Sequence, residues 1–87
     1  MTTTTETVIA IATAEVRQLL ATGTAELIRR RAGLSLGAVA RVVDVEPSTV
    51  LMWERGEFFP SGERAVAYGE LLRRLRETTE EARRVRA

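Results

Sequence analysis

The stretch EPSTVLMWERG, residues 46–56, places two hydroxyls, Ser48 and Thr49, just after a proline and ends on the guanidinium of Arg55. Hydroxyls and guanidinium groups donate hydrogen bonds to anionic oxygens, so this segment is equipped to hold phosphate or a base edge rather than to break a bond. The side chains that usually carry acid–base, nucleophilic or metal chemistry are missing. There is no histidine and no cysteine, which excludes disulfide frameworks, thiolate chemistry and the common zinc sites. No glycine-rich phosphate loop occurs, and no carboxylates cluster at a catalytic spacing. No enzymatic activity, metal or cofactor is therefore expected.

The charge balance sets a second condition. All thirteen basic residues are arginine, against twelve acids, for a formal charge of +1. Attraction to a polyanion must then come from local placement of arginines, since a bulk positive field is absent. Arginines 29, 30, 31, 41, 55 and 64 are the candidates, provided that Arg41 and Arg55 face the phosphate backbone. The apolar runs are shorter than a membrane span, and MTTTTET lacks the basic start and small-residue cleavage pattern of a signal peptide. A cytoplasmic chain with no membrane contact is expected.

The elements that must position these residues are helical. Eighty-seven residues suit one small domain with one core. Val8, Ile9, Ala12, Val16, Leu19 and Leu20 recur on one arc and predict an extra first helix over 5–21, with Arg17 and Gln18 away from that arc. Gly23 ends it, Thr24 is placed to cap a short helix over 25–32, and Gly33 stops that one. Ser35 caps the next, LGAVARVV, and Asp44 stands where the chain must turn, tolerating a left-handed conformation better than most residues. Glu46-Pro47 opens a helix over 47–55, with the proline at the first helical position, where its missing N–H costs nothing. Val39, Val43, Val45, Val50 and Trp53 point to a shared core, and small Ala40 lets the two helices approach. After the loop EFFP, Ser61 caps a long last helix over about 61–82, whose apolar face is Ala65, Tyr68, Leu71, Leu72 and Leu75. Beyond it the segment RETTEEARRVRA offers acid–arginine pairs such as Glu80 with Arg84. The expected class is all-α, five helices in one compact domain spanning 1–87.

Two short helices joined by a tight turn form a helix-turn-helix arrangement. Over about residues 25–77 the chain resembles the Cro/repressor-type, or XRE, family of helix-turn-helix proteins. The resemblance rests on Arg29, Gly33-Leu34-Ser35, Val39-Ala40, Val45, Ser48-Thr49-Val50 and Trp53-Glu54-Arg55-Gly56. It implies a lambda-repressor-like fold with its motif core at about 24–60. It also implies that helix 47–55 enters the DNA major groove, and that Glu54 forms a structural ion pair with Arg29. Ser35, Arg41, Glu46, Pro47, Ser48, Thr49, Met52 and Arg55 are then the candidate DNA-binding residues, with Arg55 on phosphate. Ser48 and Thr49 can either donate to phosphate and base edges or cap the helix. Trp53, one turn beyond Val50, belongs to the core rather than to a base stack.

The sequence departs from the family at four places. Leu36 stands where relatives place a phosphate-binding glutamine, and Glu46 sets a negative charge near the phosphates. Met52 replaces a polar or basic reader, though it can still touch a thymine methyl. The residues EFF replace the basic loop. Few phosphate contacts imply modest affinity with a shallow salt dependence. Two readings follow. One is a small regulator of transcription bound to double-stranded DNA as a homodimer, through the last helix or the extra first one. The other is a helix-turn-helix turned into a protein-interaction module, with Leu36, Met52, Phe58 and Phe59 as an apolar interface.

Overall fold

The computed structural model describes residues 2–86 as five helices, with no strand among them. They are α1 (Thr2–Ala21), α2 (Thr24–Arg31), α3 (Leu36–Val43), α4 (Pro47–Glu54) and α5 (Gly62–Arg86). Two long helices, α1 and α5, lie against each other over the greatest length. The short helices complete the globule: α2 packs on both long helices, α3 on α4 and α5.

Local sequence explains most helix ends. Ser35 Oγ accepts from the Ala38 N–H at 3.0 Å, capping α3. Asp44 takes the left-handed conformation, φ 59, at the end of α3. Both α2 and α4 close in the same way, with a left-handed glycine just beyond the cap. Leu34 N–H returns to the Arg29 carbonyl and Gly33 N–H to that of Arg30. Glu57 N–H returns to Met52 and Gly56 N–H to Trp53.

Several ends differ from the sequence expectation. The first helix starts at Thr2 rather than Thr5, because the threonine run contains no glycine or proline and extending an existing helix costs little even for threonine. Thr24 does not cap α2. Gly23, left-handed at φ 76, is the capping residue, and the Thr24 hydroxyl pairs with that of Thr22 at 2.7 Å. Arg55 lies just outside α4 as its C-terminal cap. The last helix runs from Gly62 to Arg86, one residue later and four residues further than expected. Arg84 bonds Glu81 three residues back rather than Glu80.

The core joins all five helices: Val16 and Leu20 of α1, Ala25 and Ile28 of α2, Val39, Ala40 and Val43 of α3, Val50 and Trp53 of α4, Ala65, Tyr68 and Leu72 of α5. Val45, Leu19, Leu71 and Leu75 pack against it half-buried. Val8, expected on the inward arc of α1, is half exposed and lines an open groove with Ile11, Ala12 and Val66. Trp53 stacks obliquely on Tyr68, ring centres 4.9 Å apart, which fixes the inward face of α4 on α5. Among the described residues, no helix is long and apolar enough to cross a membrane.

Candidate nucleic-acid interface

The anchor of α4 is an ion pair. Arg29 Nε donates to Glu54 Oε2 at 2.6 Å and Nη2 to Oε1 at 2.9 Å, while Nη1 donates to the Leu34 carbonyl at 2.9 Å. One guanidinium thus ties the end of α2, the α2–α3 loop and the last turn of α4. The side chains are only 9% and 3% exposed, so neither charge has water to fall back on. Donation to the Glu54 carboxylate holds the Arg29 pKa above its ordinary value against the opposing effect of burial. The pairing expected from the family resemblance is present, and Trp53 is core as expected.

With Val50 and Trp53 held inward, the other face of α4 is turned out. Glu46, Pro47 and Ser48 are exposed at its start, Thr49 and Met52 are partly exposed, and Arg55 is exposed at its end. Neither Ser48 nor Thr49 caps the helix. Glu46 occupies the capping position and makes no side-chain cap bond, while its carbonyl accepts from the Thr49 N–H at 2.9 Å. The structural role open to these two hydroxyls is therefore unfilled, and both remain available as donors.

Around α4 the arginines divide by engagement. Arg29 is consumed in the buried pair, and Arg30 bonds Glu26 at 2.8 Å. Arg64 donates to the Asp44 carbonyl at 3.3 Å, at the turn before α4. Arg41 is exposed on α3, and its guanidinium folds back toward the start of that helix: a side chain added at Gly37 would lie 3.9 Å from Arg41 Nη1. Among the described residues Arg41, Arg55 and Arg31 form no ion pair. Ser35, the remaining candidate on α3, spends its oxygen on the Ala38 N–H yet stays exposed.

The proposed apolar interface is only partly assembled. Leu36 is half-buried and packs on the core, which explains a leucine there without any partner. Met52 is partly exposed. Phe58 is 60% exposed, and Phe59 is 38% exposed beneath the Arg17 guanidinium, 4.7 Å from its ring centre. That cation–π contact between α1 and the α4–α5 loop was not readable in the sequence, because forty-two positions separate its partners and neither type requires the other. Comparison with protein-family models, curated proteins and solved structures finds no match to this chain.

Proposed function

We propose that this protein is a small sequence-specific DNA-binding regulator of transcription that inserts α4 into the major groove and binds as two copies. The observation that carries the reading is the presentation of α4. Its inner face is fixed by Trp53, Val50 and the Arg29–Glu54 pair, while Glu46, Ser48, Thr49, Met52 and Arg55 stand outward on a rigid element. Rigid placement lets short hydroxyls select among base edges. Arg55 and Arg41, both exposed and outside any ion pair among the described residues, supply phosphate contacts, and Glu46 accepts from a base amine or repels the backbone locally. Net charge gives little help, so affinity depends strongly on a few arginines.

Titrating labelled duplex at several salt concentrations tests this. Arg55→Ala should weaken binding about equally across sequences and reduce the slope of log K against log salt by about 1, whereas Ser48→Ala should change which sequence is preferred. An Arg55→Ala chain with unchanged affinity and slope would remove that residue from the interface.

The exposure of Phe58 favours a second reading, a protein-interaction module. Phe58→Arg separates the two. On a DNA-binding surface an added guanidinium beside the backbone tightens duplex binding, whereas at an apolar interface it abolishes partner binding without any gain on DNA.

A further inference from the structure

Away from α4, two apolar openings run along the seam between α1 and α5. One groove, of about 220 Å³, is lined by Val8, Ile11, Ala12 and Val66. The next, of about 320 Å³, lies over Leu19, Ile28 and Leu72. Glu15, Gly69 and Arg73 line both, so the two adjoin. Val8 and Ile11 are 50% and 55% exposed, on the helix that sends Val16 and Leu20 fully inward. Gly69 leaves the floor without a side chain. Glu15 stands on the α1 wall and Arg76 on the α5 wall, and neither forms an ion pair among the described residues, whereas Arg73 is already engaged by Glu70.

We infer that this groove is covered by a second copy of the chain, related by a two-fold axis, with Ile11 of each copy seated in the other and Glu15 of each facing Arg76 of the other. A two-fold interface uses the same patch on both copies, so the patch must complement itself. An apolar floor with one unpaired acid on one wall and one unpaired base on the other meets that requirement. A patch suited to a strongly acidic or strongly basic partner would carry one sign. The inference rests on the two-copy reading given above and not on any DNA contact.

Sedimentation equilibrium of the full chain, without DNA, tests it. The wild type should show a concentration-dependent dimer. Ile11→Glu should shift it toward monomer, with unchanged helix content, since Ile11 is largely outside the core. Glu15→Arg and Arg76→Glu should each weaken self-association by about tenfold, through loss of two symmetry-related pairs and gain of like-charge contacts. Mixing the two single variants is the decisive arm. One copy then carries arginine at 15 and 76, the other glutamate at both, so both cross-pairs are restored and the mixture should dimerise nearly as well as the wild type. A role for these residues within one chain cannot produce that recovery. A dimer unaltered in all three variants, or variants weakened without recovery on mixing, overturns the groove assignment and leaves the two-copy reading standing. A wild type that stays monomeric at millimolar concentration overturns both, while duplex titrations judge α4 independently.

Discussion

Arg29 and Glu54 lie twenty-five positions apart and make the only ion pair among the described residues in which both side chains are largely removed from water. Removing one partner strands a charge rather than merely deleting a contact. Arg29→Ala should cost ~3–5 kcal/mol in urea-induced unfolding. A loss below about 1 kcal/mol would mean that water reaches Glu54 as soon as its partner is gone. Tyr68 gives a second residue-scale test. Burial, reinforced by the nearby Glu54 charge, pushes its phenol well above the ordinary tyrosine value. A raised folded pKa contributes stability that is complete below the unfolded value, about pH 10, and is lost as pH rises toward the folded one. With no lysine, cysteine or histidine and a single tyrosine, few other groups titrate there. Alkaline unfolding should therefore begin near pH 10, and Tyr68→Phe should move its onset upward. The Tyr68 hydroxyl finds no hydrogen-bond partner among the described residues, so the same change should leave neutral-pH stability unchanged or raise it by up to about 1 kcal/mol. Loss of more than that would show that the hydroxyl is engaged in solution.

At the scale of elements, caps and close approaches decide where α3 and α4 sit. Ser35→Ala should cost about 1 kcal/mol through the lost Ala38 cap, measured by thermal unfolding, and weaken DNA binding only as far as α3 frays. Gly69 meets Val16 across the α1–α5 seam, where even an added Cβ would lie 3.3 Å from Val16 Cγ2. Gly69→Val should destabilise by ~1–3 kcal/mol, because neither long helix can retreat without opening the core. A Gly69→Val protein as stable as the wild type would show that the seam is loosely packed. How much of this was readable in the sequence depends on the range of the cause. Ser35, Asp44, Pro47, Gly33 and Gly56 act on their own neighbours, and each stands at the helix end that its chemistry specifies. Gly23 was read as a stop only, although one left-handed residue both ends α1 and caps α2, leaving nothing for Thr24 to do. The Val16–Gly69 approach depends on how the two long helices meet, and the Arg17–Phe59 stack on where the α4–α5 loop meets α1, neither of which a local pattern encodes. The inward stripe of α4 was readable from Val50 and Trp53, while the Arg29–Glu54 pair came through the family resemblance and is now seen directly in the geometry.

For the whole molecule, near neutrality is the governing constraint. Thirteen arginines face twelve acids, and several of them already have an acid partner within the chain: Arg29 holds Glu54 in the interior, and on the surface Arg30 pairs with Glu26, Arg73 and Arg74 with Glu70, and Arg84 with Glu81. On the proposed DNA-binding reading, a protein arranged in this way gains little from long-range attraction, so discrimination would come from the outward side chains of α4. Two copies joined along the α1–α5 seam would present two such helices and require a site with matching symmetry. Selection of bound sequences from a random duplex pool by the full chain tests this most directly. The account predicts enrichment of a two-fold related sequence, with half-sites about one helical turn or a multiple apart and a preference that changes with Ser48→Ala. A pool that stays random after repeated selection, even at low salt, would contradict it.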